Sequence, residues 1–277
     1  MDLNFFSNQY FLFAFVMALT AIPVGFSAGL FGIGGGLISV PVLFYIFGAL
    51  GISNDYLMHL AVGTSFAIIV PTSISSVLTH HKFNSVDFNI VKTYGLYAIL
   101  GAVLGTIFAS TLKTQQLILF FVIVTFFLGI YLIFLKEKRI ESKSDFKIYY
   151  KIFFGFASGF VSAPMGIGGA IMNVPILKFF GYNINRAIGS AAAIGFLIAT
   201  TASIGFLISG NYKEINAPLS IGFINIPAFL IFVPITIFMA KFGAKTVHKI
   251  DKKLITKLFG IFNLLVSTRL FFEYISY

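Results

Sequence analysis

Apolar residues run along this 277-residue chain in blocks too long and unbroken to be the buried stripes of soluble helices, with glycine, proline and charge gathered between them. Two halves read alike. In the first, an apolar run at about 10–31 leads into a Gly-rich break, a short run at 40–50, and full-length runs at 58–79, 94–111 and 116–135. The second repeats that order at about 149–165, 174–181, 188–209, 219–240 and 254–275. Runs near 20 residues at 1.5 Å per residue match a hydrocarbon core of about 30 Å. The pattern predicts an all-α integral membrane protein with about eight full transmembrane helices and two short half-helices after the breaks.

The halves are related residue by residue. GFSAGLFGIGGGLISVPVL (25–43) aligns without a gap on GFVSAPMGIGGAIMNVPIL (159–177), and nine of the 19 positions are identical. Shared hydrophobicity alone would not align the glycines and the proline. LAVGTS (60–65) then aligns on RAIGSA (186–191). The chain reads as a tandem duplication: residues 1–135 form one membrane repeat, 136–148 a basic linker, and 149–277 the second repeat.

Charge fixes the expected orientation. If each Gly region is one continuous span, the 19 Lys and Arg divide evenly between the two faces. If each contributes an even number of passes, sixteen fall on one face and only Lys113, Lys213 and Arg269 on the other. The positive-inside rule selects the second arrangement. It makes the halves inverted-topology repeats, puts the linker in the cytoplasm and places both termini outside. It also accounts for the +10 balance without nucleic acid as a partner. No Lys or Arg precedes the first apolar run, so a cleaved leader is not expected and the first helix should be retained.

Composition narrows the chemistry. Mean hydropathy is +0.97 and only 10% of residues are charged, far below a soluble domain. The absence of cysteine excludes a thiol redox relay, a cysteine nucleophile and a thiolate metal site. No Asp or Glu is expected in mid-membrane, so neither a buried carboxylate relay nor an intramembrane catalytic constellation has a candidate, and no cofactor is implied. His80, His81 and Lys82 end a predicted helix and read as its interfacial end.

The breaks are where chemistry can sit. Ser39-Val40-Pro41 and Asn173-Val174-Pro175 each place a capping residue two positions before a proline, the signature of a helix start. A helix from there to Leu50 spans roughly 16 Å, so its N-terminus should lie near mid-membrane. Such an end carries partial positive charge and unpaired N–H donors, and glycine lets a ligand approach the backbone. Gly32, Gly34, Gly35, Gly36 and Ser39, with Gly166, Gly168, Gly169 and Asn173, are therefore candidates to bind a small anion. Thr64, Ser65 and Ser190 could complete its coordination. Two plainer readings stay open: glycines also serve close helix packing, as the pairs Gly25/Gly29, Gly32/Gly36 and Gly101/Gly105 would allow, and the hydroxyls can bond back to their own helices. Duplication and the paired cap-and-proline signature favour the binding reading of the glycines.

GLFGIGGGLISVPVL followed by AVGTS, then GFVSAPMGIGGAIMNVPIL followed by AIGSA, resembles the sulfite exporter TauE/SafE family over essentially the whole chain. The resemblance implies a multi-pass permease of the bacterial inner membrane that moves sulfite, a sulfonate or a related organic anion, with the lipid bilayer as its surroundings. Its motif residues fall on Gly32, Gly34, Gly35, Gly36 and Pro41, on Gly166, Gly168, Gly169 and Pro175, and on Thr64, Ser65 and Ser190. Ala170 replaces the last glycine of the second cluster, and Ser190-Ala191 replaces the Thr-Ser pair. A passive anion channel and a membrane subunit without transport of its own are the alternatives.

Overall fold

A computed structural model describes residues 3–32, 34–134, 146–213, 215, 217–247 and 252–276. Ten α-helices carry the architecture: α1 (Leu3–Phe31), α2 (Gly36–Ala49), α3 (Leu57–Lys82), α4 (Phe88–Thr111), α5 (Thr114–Phe134), α6 (Ile148–Met165), α7 (Ala170–Phe179), α8 (Ile184–Asn211), α9 (Ile226–Thr246) and α10 (Lys252–Ser276). Seven of them, α1, α3, α4, α5, α8, α9 and α10, are long and apolar enough to cross a membrane. The protein is a multi-pass, all-α membrane protein. The short helices α2 and α7 follow the two glycine breaks, as the sequence predicts. The remaining expected full-length helix is α6, whose 18 residues open on Ile148, Tyr149, Tyr150 and Lys151. Residues 136–145 of the expected linker lie outside the described residues.

The start of α9 departs from the hydropathy by a distinct local structure. The apolar run at 219–240 predicts a single helix, but its first residues form a minute antiparallel hairpin, β1 (Ser220–Ile221) with β2 (Ile224–Asn225). Gly222 turns it at φ +54°. Asn225 then caps α9, its side-chain oxygen accepting the Ala228 N–H at 3.0 Å, with Pro227 in the first turn. Hydropathy is blind to this start because the hairpin residues are nearly as apolar as the helix.

α3 lies at the centre: 78% of its most apolar window is buried, against 28% for α9 and α10. It packs on α8 and α9, while α8 packs on α3 and α4. Around this pair, α1 lies along α9 and α6 along α4, and α5 pairs with α10. Bare backbone makes the tightest contacts. A Cβ on Gly25 would fall 2.6 Å from Thr236 Cα, and Gly29 abuts the Ala240 carbonyl. On the other side Gly159 abuts the Ala98 carbonyl, and Gly101 and Gly105 face those of Phe156 and Phe160. These glycines therefore serve helix packing, where small residues let backbones approach when no hydrophobic force draws helices together in lipid. Large apolar side chains face outward, among them Phe15 and Leu19 of α1, Leu100 and Ile107 of α4, and Leu230 and Phe238 of α9.

Gly29→Ala and Gly159→Ala should each destabilise the protein by about 1–3 kcal/mol or more, because a methyl group would meet a backbone carbonyl that cannot swing aside. Gly48→Ala is the matched control, since its nearest neighbour would be Leu57 Cδ2 at 3.5 Å. Unfolding midpoints in detergent should fall by several degrees for the first two variants and stay level or rise for the third.

Candidate functional site

Each glycine break interrupts the helical chain inside the protein with the same two left-handed residues. Gly32 and Gly35 have φ of +68° and +82°, and Gly166 and Gly169 have +68° and +71°. A side chain in that conformation costs roughly 1–2 kcal/mol, which explains why both positions are glycine in both halves. Gly34 adds a third at +73° and lies against Ile69, while the Gly168 carbonyl abuts Gly195. Gly32 backs onto the Ile188 carbonyl of α8 and Gly166 onto Val62 of α3. The breaks meet where Gly36 abuts the Gly166 carbonyl. All the break glycines are buried.

The short helices start one turn earlier than Ser39 and Asn173 would set them. Gly35 caps α2, its carbonyl accepting the Ile38 and Ser39 N–H groups at 3.0 Å each. Gly169 caps α7 in the same way, accepting from Met172 at 3.1 Å and Asn173 at 3.0 Å. Neither Ser39 nor Asn173 is a cap, because a left-handed glycine closes the turn without a side-chain acceptor. Pro41 and Pro175 consequently sit inside their helices, where each deprives a carbonyl four residues back, Leu37 or Ile171, of its helical donor. The cap-and-proline signature is used, but at Asn225-Ile226-Pro227, where the sequence pattern drew no attention to it.

The candidate side chains tie the breaks to the central helices. Ser39 and Ser65 hydroxyls lie 2.7 Å apart, and Ser65 donates to the Gly166 carbonyl at 3.0 Å. One hydroxyl pair thus joins α2, α3 and the second break. The Thr64 hydroxyl accepts the backbone N–H of Asn225, the α9 cap, at 2.9 Å. The Ser190 hydroxyl accepts the backbone N–H of Asp87, the α4 cap, also at 2.9 Å. Asn173 receives the Tyr94 hydroxyl on Oδ1 at 2.7 Å, and its Nδ2 is buried without a partner. Among the described residues the N–H groups of Ala170 and Ile171, at the start of α7, also meet no acceptor. Buried N–H groups without partners are rare, and at a helix N-terminus they are donors available to an anion.

Several residues gain roles that their sequence positions did not announce. Tyr94 is one: at the start of an apolar run it reads as an interfacial tyrosine, yet it is fully buried. His59 is fully buried, with Nε2 3.1 Å from the Ala109 carbonyl and its ring stacked 5.1 Å from Phe223. His80 is fully buried as well, and its Nε2 meets the Gly29 carbonyl at 3.0 Å. Of the predicted interfacial trio, only His81 and Lys82 are exposed. Arg269 pairs with Glu273 at 3.4 Å and lies 5.2 Å from the ring centre of Tyr45, at the edge of a cavity of about 440 Å³ beside the C-terminal end of α2.

Removing the Ser65 hydroxyl would strand both Ser39 and a buried carbonyl. Ser65→Ala should cost about 1–3 kcal/mol of stability. Thr64→Val, which keeps shape but cannot accept the Asn225 N–H, should cost a similar amount. Thermal unfolding of both variants beside wild type measures the difference, and an unchanged midpoint for either would show its hydroxyl to be dispensable.

The sequence profile described as Sulfite exporter TauE/SafE matches residues 17–270. A probable membrane transporter protein of Haemophilus influenzae is 31% identical over 264 residues, covering 95% of this chain and 100% of that protein. Another, of Methanocaldococcus jannaschii, is 30% identical over 266 residues, covering 92% and 96%. The probable membrane transporter protein YunE of Bacillus subtilis is 25% identical over 282 residues, covering 95% and 98%. No solved structure matches the chain. With its fold of spanning helices and two buried glycine breaks, and with a match that runs almost from end to end, this chain belongs to the sulfite exporter TauE/SafE family of membrane transporters.

Proposed function

We propose that the chain is a secondary transporter that moves a small sulfur-containing anion, such as sulfite or an organosulfonate, across the bacterial inner membrane by alternating access. The observation that carries this reading is the meeting of two buried glycine breaks at Gly36 and Gly166, each opening a short helix at its N-terminus. Backbone N–H groups there can hold an oxyanion whose charge is spread over several acceptor oxygens, without a buried cation. Gly32, Gly34, Gly35 and Gly36 with Ser39, and Gly166, Gly168 and Gly169 with Asn173, line the proposed path. Thr64, Ser65 and Ser190 brace it.

In this reading α6 is the eighth spanning helix and the halves are inverted repeats. Crossed contacts support the pairing. α1 lies on α9 as α6 lies on α4, and Thr64 grips the cap of α9 as Ser190 grips the cap of α4. Rocking one set of elements against the other about the breaks would expose the site to each side in turn.

Two experiments test the proposal. Vesicles containing the wild type should take up or release labelled sulfite or sulfoacetate, and should concentrate it under an imposed ion gradient, which a passive channel cannot do. Gly34→Leu and Gly168→Leu should abolish that flux in protein that still folds, and undiminished transport by both would sink the glycine site. Because the chain has no native cysteine, single cysteines report topology cleanly. Lys113→Cys and Lys213→Cys should react with an impermeant maleimide on intact cells, and Lys92→Cys and Lys178→Cys only after lysis. The reverse pattern would refute the orientation.

A further inference from the structure

The two breaks are alike in backbone but not in what surrounds them. Beside the second break, Tyr94, Ser158, Ser162 and Asn173 form a connected polar group, all of them buried. Tyr94 donates to Asn173 Oδ1 at 2.7 Å, with the Phe154 carbonyl and Ser158 Oγ at 3.0 and 3.3 Å from the same hydroxyl, and Ser162 donates to the Ser158 carbonyl. The duplication identifies the counterparts beside the first break. The alignment of 25–43 on 159–177 extends back one position to pair Val24 with Ser158, and within it Ala28 pairs with Ser162 and Ser39 with Asn173. Registering α9 on α4 through the caps Asn225 and Asp87 superposes Ala240 on Ala102 and Gly243 on Gly105, and sets Phe232 against Tyr94. Three of the four polar residues therefore have apolar counterparts. The fourth, Asn173, has a polar counterpart, Ser39, but that hydroxyl is already paired with Ser65.

The polar group leaves one donor over. Asn173 Nδ2 has no partner although the residue is fully buried, and burying an unpaired amide costs free energy that native proteins rarely leave uncompensated. It lies at Gly169: a Cβ there would come within 3.3 Å of Nδ2 and 3.0 Å of Ser162 Oγ. Asn173 stands three residues into α7, whose Ala170 and Ile171 N–H groups have no acceptor among the described residues. Glycine lets Ile198, Ser162 and Asn173 crowd this point, Ile198 Cδ1 coming within 2.6 Å of where a Cβ would sit, and Tyr94, by occupying Oδ1, holds the amide with Nδ2 beside Gly169.

We infer that the transported oxyanion is held asymmetrically, at the second break, by Asn173 Nδ2 together with the backbone N–H groups of Ala170 and Ile171, and that Tyr94 is the residue that keeps Asn173 in its donating orientation. This rests on the reading of the chain as an oxyanion transporter and adds which half of the repeat binds. The first break then serves as the structural counterpart on which the binding half moves, its hydroxyl committed to α3 and to the Gly166 carbonyl. Because the site is closed from solvent, loading it requires the conformational change that the transport cycle supplies.

Purified full-length protein in detergent, titrated with sulfite and followed by thermal shift, decides the matter. Wild type should be stabilised in a saturable way. Asn173→Leu should weaken the apparent affinity at least tenfold, since a hydrogen bond to a charged group is lost. Thr125→Val, which removes only a bond within α5, should stay within about threefold of wild type. Tyr94→Phe keeps the ring and removes only the hydroxyl, so it also serves if Asn173→Leu fails to fold. In liposomes it should raise KM for sulfite several-fold with kcat nearly unchanged, whereas a purely structural role would lower the unfolding midpoint and leave KM alone. Wild-type stabilisation that Asn173→Leu and Tyr94→Phe both retain would overturn the asymmetric site while leaving the transporter reading intact. Failure of wild type to respond to sulfite or to any sulfonate would overturn both.

Discussion

Within a bilayer the backbone has no water to bond, so a chain may leave helical geometry there only if the freed N–H and C=O groups are enclosed by the rest of the protein. The described residues leave helical geometry and are enclosed at two places, the left-handed glycines Gly32, Gly34 and Gly35 and the pair Gly166 and Gly169, and much of the remaining architecture follows from enclosing them. α3 and α8 are buried at the centre because they wall the breaks, Gly32 resting on α8 and Gly166 on α3. α1 and α9, and α4 and α6, close the sides through glycine faces that admit bare backbone contact.

The same constraint explains how much could be read from the residues alone. Periodic apolar length located all ten helices to within a few positions for most boundaries, and the glycine clusters located the two interruptions, because both signals act locally along the chain. The precise start of the short helices was misread. A Ser-x-Pro or Asn-x-Pro triplet looks like a cap, yet at Ser39 and Asn173 a preceding left-handed glycine had already turned the chain. The identical triplet grammar did operate at Asn225, inside a stretch so apolar that it passed for mid-helix. Tyr94, His59 and the depth of His80 were invisible for a different reason. Their significance comes from partners 50 or more residues away, and no local pattern encodes those.

The candidate residues can be picked out from the sequence, but not the partners that the structure gives them. Alignment of the halves picks out Ser39 with Asn173 and Thr64 with Ser190 as equivalent pairs, and the structure places each pair in equivalent surroundings for Thr64 and Ser190 but not for the other two. Ser39 is satisfied by Ser65, whereas Asn173 is held by a tyrosine whose counterpart is Phe232. A duplicated scaffold can keep its backbone symmetry, which the left-handed glycines enforce, while a few interior side chains diverge. Symmetry of backbone and asymmetry of side-chain surroundings are then compatible in one fold.

The crossed packing also bears on how the molecule is made. Gly29 on α1 finds its surface in the carbonyl of Ala240 on α9, a partner synthesised 211 residues later. At ribosomal speeds of roughly 5–20 residues per second, that is an interval on the order of 10–40 seconds. Throughout it, α1 has a groove-bearing face with nothing to fit it, and α2, too short to span alone, has no finished wall around its start. The first half must therefore linger beside the insertion machinery or in a loosely held state until the second half emerges, so closure of the protein is a late, long-range event. Sequence changes that leave the finished fold untouched but slow the second half would be felt first in yield.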